Sequence, residues 1–467
     1  MGTPDLFEHA YTAAVSEELP PDPVAQERPG RELRLRRAPS AAIALGGCVV
    51  TPDRAIDPGY VVIEDGVVRA VEPVAPEAVE VIDTGGVIVP GLIDLHGHPE
   101  FNVFAAWEPP QSYVNRYAWR GSELYAKLVR GPQNLLLEKL SPWTQLRYAE
   151  IRALVGGVTA IQGAGQQASR YQDEALVRNV DKWIFGGQVG RAMIDLPSGT
   201  RGADSLTSIL RGISAGTVKA FYLHLAEGKP SNSRSATEFD TLVELGGLTP
   251  ATVIIHGTAL SETQLGDAHD AGAKLVWSPQ SNLRLYGETT RAAHAVRLGM
   301  PVGLGADWLP SGSSSLLAEM KVARRSLATQ TGHDPGARKL VDMVTRDAAR
   351  IAGLEDMLGT IAAGRPADLA VFERHHDDPW ENVATADPSH VQLVLIGGDI
   401  AYGHHDLVHR LVGHDAADDF ESLLAWGKPM LLDTGYQARP GEAAPPRLSA
   451  LRTELISAYP QVGPIFA

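Results

Sequence analysis

The sequence predicts an α/β protein built on a (β/α)8 TIM-like barrel, with a small β-sandwich domain assembled from both chain ends. Three observations point there. Between Pro90 and Leu358, short apolar runs of strand character alternate with helical stretches, the pattern of parallel strands joined by crossover helices. Two β-rich segments, 41–89 and 359–405, bracket that middle. Several apolar runs also end on a histidine or an aspartate, at the strand end where barrel enzymes carry their sites.

Composition sets the outer limits. At 467 residues, 44% hydrophobic and 21% charged, the chain has the makeup of an ordinary globular protein with one large and one small domain. A formal net charge of -15 argues against a nucleic-acid surface and against anionic lipid, and favours a small neutral or cationic substrate. The single cysteine, Cys48, excludes an intrachain disulfide and a thiolate-held zinc, so any metal must sit on His, Asp and Glu. No apolar run approaches the ~20 residues that span a bilayer. The first forty residues are polar, with an arginine cluster between Arg31 and Arg37 and no apolar signal-peptide core. The expectation is a cytoplasmic protein without nucleic-acid or membrane partners, a homodimer remaining open.

Taken in order, 1–40 is an N-terminal extension. In 41–89, the runs Ala41–Leu45, Gly59–Ile63 and Glu64–Val71 are short strands, with Asp65-Gly66 as a hairpin turn. The barrel, 90–358, opens at Pro90-Gly91 and offers strands ending at His98, Ile161, Phe185 (Trp183-Ile-Phe), His224, His256, Trp277 and Asp307. A fourth strand is required between Gly187 and Gly216, where no run identifies it. Strands return in Gly359–Phe372 and Val391–Gly398, and 406–467 reads as a helical extension with a proline-rich tail and no chemistry.

Side chains alternate along a strand, so His96 and His98 in Gly91-Leu-Ile-Asp-Leu-His-Gly-His98 project together and can share an ion. With His224 and Asp307 they make a nitrogen and oxygen ligand set with one position open for water. Each such residue alone is more often a satisfied strand-end group; several in one barrel reverse that reading. Gly303 and Gly305 share the inward face with Asp307 and would leave room for a ligand. Lys219 lies five residues before His224, on the opposite face, and is rejected as a ligand. Glu227, in His224-Leu-Ala-Glu227, can relay a proton between water and a leaving nitrogen. His256 either completes the metal shell or orients water and substrate from behind it. Trp107, Tyr113, Tyr117, Trp119 and Trp308 either line a pocket for a flat substrate or pack the barrel mouth.

These residues in this order resemble the amidohydrolase superfamily. The matching pieces are Pro90–His98, His224-Leu-Ala-Glu227, His256, Ser278-Pro-Gln-Ser-Asn282-Leu-Arg-Leu, Gly303-Leu-Gly-Ala-Asp307 and Gly359–Ala370. Within it, the chain is similar to the branch of cytosine, guanine and S-adenosylhomocysteine deaminases and triazine hydrolases. The resemblance implies one divalent metal, zinc first and iron second, on His96, His98, His224 and Asp307. It implies Glu227 as proton shuttle, His256 on water or substrate, Asp307 as a further proton acceptor, and Asn282 shaping the pocket. Trp308 and Trp107 stand where the better-known deaminases differ and are assigned to substrate binding. The expected reaction is hydrolysis of a non-peptide carbon–nitrogen bond of a small molecule, foremost deamination of a ring by metal-activated water. The alternatives are hydrolysis of a cyclic or linear amide, as in imidazolonepropionase-like members, and an inactive barrel that binds rather than turns over.

Overall fold

The structure is a computed structural model that describes residues 42–164, 175–181, 183–185, 187–197, 199–413, 420–435 and 445–466. The extension 1–40 and most of the proline-rich stretch 439–447 lie outside the described residues. Nineteen strands occur among them. The first four are β1 (Ile43–Val50), β2 (Ala55–Glu64), β3 (Val67–Glu72) and β4 (Glu80–Pro90). Ten follow in the middle of the chain: β5 (Leu92–Asp94), β6 (Val158–Ile161), β7 (Arg178–Asn179), β8 (Trp183–Ile184), β9 (Gly187–Gln188), β10 (Gly190–Met193), β11 (Ala220–Leu225), β12 (Thr252–His256), β13 (Lys274–Trp277) and β14 (Val302–Leu304). The last five are β15 (Leu369–Phe372), β16 (Val391–Ile396), β17 (Asp399–His404), β18 (Glu421–Ala425) and β19 (Lys428–Leu432).

Strands from both sides of the chain interleave in one sheet of order β18-β19-β17-β16-β15-β4-β1-β2-β3. Its apolar face has a core of its own, in which Ile43, Leu45, Val61 and Ile63 meet Leu369, Val371, Leu393 and Leu395. The middle of the chain forms two parallel sheets, β5-β6-β7 and β10-β11-β12-β13-β14. They meet at one edge, where Leu95 N–H donates to Leu304 O at 3.2 Å and Gly97 bridges Asp307 in parallel register. At the other edge a Cβ on Gly190 would lie 2.4 Å from Asp181 O, so β10 runs this close to the end of β7 only because glycine has no side chain.

Alternate residues sort into two cores, as a strand's period of two requires. Ile93, Leu95, Ala160, Val180, Ala220, Tyr222, Val253, Ile255 and Val276 pack among themselves. Leu92, Phe221, Leu223, Leu275, Trp277, Val302 and Leu304 pack beneath the helices instead.

Two expectations are corrected here and one gap is filled. Trp183-Ile-Phe is not a parallel strand: Trp183–Ile184 pairs antiparallel with Gly187–Gln188, and the strand beside β6 is Arg178–Asn179. The unassigned strand is Gly190–Met193, Gly-Arg-Ala-Met, which carries no β-branched residue to announce it. The region after 406 is not purely helical, because β18 and β19 form a hairpin on the large sheet. Its turn uses Trp426 and Gly427, both at positive φ (48° and 79°), where the usual signal is Asn-Gly or Asp-Gly.

Among the described residues no helix is long and apolar enough to cross a membrane. One helix, Pro142–Val155, buries a carboxyl: Glu150 accepts from Leu176 N–H at 3.3 Å, and burial pushes its pKa up to about 7 despite Arg147 nearby. A group raised in the fold contributes stability below its unfolded pKa and loses it as pH climbs through 7. Glu150→Gln should therefore raise Tm at pH 8 more than at pH 5.5, by about 1–3 kcal/mol of relative stability. Thermal melts at both pH values check this, and a larger gain at pH 5.5 would contradict it.

Candidate metal centre

The regular strand β5 stops at Asp94, so His96 and His98 lie just past the ladder rather than on it. What holds them is the neighbouring strand end. Asp307 N–H donates to His96 O at 2.9 Å, and Asp94 Oδ1 accepts from Ala306 N–H at 3.1 Å and His96 N–H at 3.3 Å. Gly303 and Gly305 make this approach possible: a Cβ on Gly305 would sit 2.4 Å from the His96 Cβ, and one on Gly303 2.6 Å from Leu95 Cδ1. Those glycines make room for His96 and its strand, which corrects the expectation that they make room for a ligand.

His224 points inward from β11 with the parity of Ala220 and Tyr222. His256 does not have that parity, since Ile254 two residues earlier packs beneath the helices. It reaches the centre because its φ is +66°, and Asp307 and Ala226 share the left-handed region at +60° and +52°. Each such non-glycine conformation costs about 1–3 kcal/mol and persists where surrounding contacts over-determine it.

The result is a tight cluster. His96, His98 and His224 each offer a ring nitrogen within 4.8 Å of the others, and His96, His256 and Asp307 do the same. His96 Nε2 is 3.2 Å and His98 Nε2 3.8 Å from Asp307 Oδ1. Burial, reinforced by neighbouring imidazoles, holds His98 down to about 3 and His224 well below the usual histidine range. Burial raises Asp307, but the facing histidines, His96 foremost, outweigh it and hold the carboxylate ionised. His96 itself moves upward, because Asp307 beside it overcomes burial. Among the described residues, Nδ1 of His96 and Nδ1 of His224 are buried without a hydrogen-bond partner, and His96 Nε2 meets only the Asp307 carboxylate. Buried polar atoms are seldom left so, and imidazoles beside an ionised carboxylate, with His98 and His224 held unprotonated by burial, are the donor set of a zinc or iron site. The residues present therefore fit a divalent cation. Lys219 is exposed, away from this cluster.

A relay fixes the form of His256. Buried Trp277 donates Nε1–H to Thr289 Oγ1 at 2.8 Å, and the Thr289 hydroxyl donates to Asn282 Oδ1 at 3.4 Å. That orients the amide so that Asn282 Nδ2 donates to His256 Nδ1 at 3.1 Å. Neutral His256, whose pKa burial lowers to about 3, then carries its proton on Nε2, facing Glu227 Oε2 at 3.8 Å. A protonated Nε2 offers no lone pair to an ion, so of the two roles open to His256 the donor role fits. Asn282 is fully buried behind His256 and off the cleft wall, which corrects its placement as a pocket residue. Asn282→Leu should cost about 10–100-fold in kcat while leaving metal content unchanged, measurable by paired kinetics and elemental analysis; an unaltered kcat would refute the relay.

Glu227 is held by a network the strand-end pattern does not reveal. Arg116, 1% exposed, donates from Nη1 to Glu238 Oε2 at 2.9 Å and from Nε to Asp195 Oδ1 at 2.8 Å. Its backbone N–H donates to Glu227 O at 3.2 Å, and Glu238 Oε2 also accepts from Ala226 N–H at 2.8 Å, pinning the turn that carries Glu227. Above the cluster opens a cleft lined by Phe101, Trp119, Tyr125 and Trp308 together with Ile194, Arg116 and Arg120. Trp107 is not on this wall. It packs behind, 5.9 Å from the Trp308 ring and 6.3 Å from Trp119, which corrects its assignment to substrate contact. Arg116, Arg120, Phe101 and Tyr125 escape sequence reading because they lie in the long segment after β5, where no periodicity marks a site.

Residues 209–401 match the model of the amidohydrolase family. The chain is similar to a 5-methylthioadenosine/S-adenosylhomocysteine deaminase of Desulforudis audaxviator, 26% identical over 409 residues that cover 79% of this chain and 93% of that protein. Among solved structures it is similar to a triazine hydrolase from Arthrobacter aurescens, with TM-score 0.61, 18% identity, and 77% of this chain and 94% of that one covered. It is also similar to a zinc-bound adenosine deaminase from Xanthomonas campestris, with TM-score 0.59, 17% identity, and 78% and 93% covered. At these identities the structural likeness is one of fold.

Proposed function

We propose, from the premise that this chain carries an amidohydrolase-family domain, that it is a metal-dependent hydrolase removing an amino group from a planar ring. The observation that carries the reading is the convergence of His96, His98, His224 and Asp307 beneath an aromatic cleft, with Glu227 and His256 beside them. Those four residues would hold one divalent ion, zinc first and iron second. When bound, the ion supplies Lewis acidity and a water activated at neutral pH.

The chain's own groups do the rest. Glu227 takes a proton from the attacking water and returns it to the leaving nitrogen; the ring carbon gains the water's oxygen, the C–N bond breaks, and ammonia departs. Burial raises the Glu227 pKa, opposed by Arg116 and the Tyr286 hydrogen bond, which suits a group that must both accept and release a proton. His256 Nε2–H donates to charge developing on the substrate, and ionised Asp307 is a second proton acceptor beside His96. Phe101, Trp119, Tyr125 and Trp308 offer faces and edges to a flat ring. Arg116 and Arg120 are paired with Asp195 and Glu238, so the charge they bring to the cleft is balanced and suits a neutral ring.

The eight strands β5, β6, β7 and β10–β14 are read as one closed (β/α)8 barrel over 90–358. The nine-stranded sheet is read as the β-sandwich domain of 41–89 and 359–405, extended by the hairpin at 421–432. A cytoplasmic location and a small-molecule substrate complete the proposal. Its test is ammonia release by zinc-reconstituted protein from a panel of aminopurines, aminopyrimidines and aminotriazines, run beside cyclic amides. Turnover of an amino-substituted ring is expected; opening of the amides alone would replace this reading with amide hydrolysis.

A further inference from the structure

The two oxygens of Glu227 have different company. Tyr286, the last residue of helix Pro279–Tyr286 and fully buried, donates its hydroxyl to Glu227 Oε1 at 2.5 Å. The direction of that bond is set by a third side chain. Trp119 Nε1–H, which can only donate, meets Tyr286 Oη at 2.9 Å, so the hydroxyl accepts from Trp119 and its single proton is directed to the Glu227 carboxylate. Glu227 Oε2 is left facing His256 Nε2. Trp119 also lines the cleft and stacks against Trp308, ring centroids 5.3 Å apart at 37°.

We propose that Tyr286 is a positioning residue that grips Glu227 through Oε1, so that Oε2 is the oxygen that carries the proton, with Trp119 setting the polarity of the grip from the cleft wall. The kinetic part rests on the deaminase reading above; the grip itself does not. A carboxylate free to turn presents either oxygen in many orientations. One held through a buried phenol keeps a single oxygen aimed at the reacting centre and at the His256 donor, which spares the reaction that search. Packing alone would not require the hydroxyl, since phenylalanine fills the same space.

The test uses the zinc-loaded full-length protein and three variants: Tyr286→Phe, Glu227→Gln and the double variant. In the infrared, the Glu227 carboxylate band is the one lost in Glu227→Gln, and it is expected to shift in frequency in Tyr286→Phe. An unshifted band would overturn the grip whether or not any ring is turned over. On the best substrate of the ring panel, Tyr286→Phe should lose about 10–100-fold in kcat with KM within about threefold. In the Glu227→Gln background the same change should cost under about twofold, because a group acting through Glu227 has nothing left to act on. Equal losses in both backgrounds would show a structural role and refute the proposal. A panel without any turnover would defeat the deaminase reading while the infrared comparison still decides the grip.

Discussion

Glu227→Gln is expected to keep its divalent ion and to lose about 10²–10⁴-fold in kcat, the usual contribution of a positioned general acid–base. The substitution is nearly isosteric, and the side-chain carbonyl can still accept from Tyr286, so the turn at Ala226–Gly228 should survive. That turn is tied down by other atoms: Arg116 N–H on the Glu227 carbonyl and Glu238 on Ala226 N–H. What glutamine cannot do is take a proton and give it back. The side chain is 3% exposed, so bulk water cannot readily replace it. Paired measurements of zinc content and ring deamination check the prediction. Full activity in a zinc-replete variant would remove Glu227 from the proton path.

His98→Ala is expected to lose the ion itself. The His98 ring stands 5.1 Å from His96 and 5.4 Å from His224, centroid to centroid, and burial keeps it unprotonated far below neutral pH. An unprotonated imidazole is the form a cation binds, so His98 is prepared as a donor over the whole working range. Without it, about one ion per chain in the wild type should fall to background after dialysis, and activity with it. A ligand that binds only the folded state stabilises that state by mass action, so chelation should lower the wild-type Tm and leave the variant's unmoved. A variant that retained a full complement of zinc would contradict the assignment of His98.

The sequence makes some of this legible and hides the rest for physical reasons. His224 is readable because it follows the alternation of a regular strand, and period two aims it. His256 is found by its position at a strand end, but its aim comes from a left-handed φ that no periodicity encodes. Asn282 is visible as a polar residue in a helix-opening segment, while its direction, toward His256 and away from the cleft, depends on Thr289 and Trp277. Tyr286 lies on the same helix and shows no sign of its partner, since the bond to Glu227 joins residues 59 apart. Strand β7 is Arg-Asn, and its arginine is buried by Asp368, which accepts from Arg178 Nε at 2.6 Å and Nη2 at 2.9 Å. An ion pair thus lets polar residues occupy a buried strand, and the apolar Trp183-Ile-Phe run nearby draws the assignment away from it. The aromatic wall is readable as a collection of residues but not as an arrangement. Trp107 and Trp308 look equivalent in sequence, and only packing separates the one that lines the cleft from the one behind it.

The most direct measurement is X-ray absorption at the zinc edge of the reconstituted protein, compared with His256→Ala. Three imidazole nitrogens and carboxylate oxygen around one zinc are predicted, with the same spectrum in the His256 variant because His256 donates from Nε2 rather than binds. Loss of an imidazole in that variant, or protein that takes up no zinc at all, would contradict the centre built on His96, His98, His224 and Asp307.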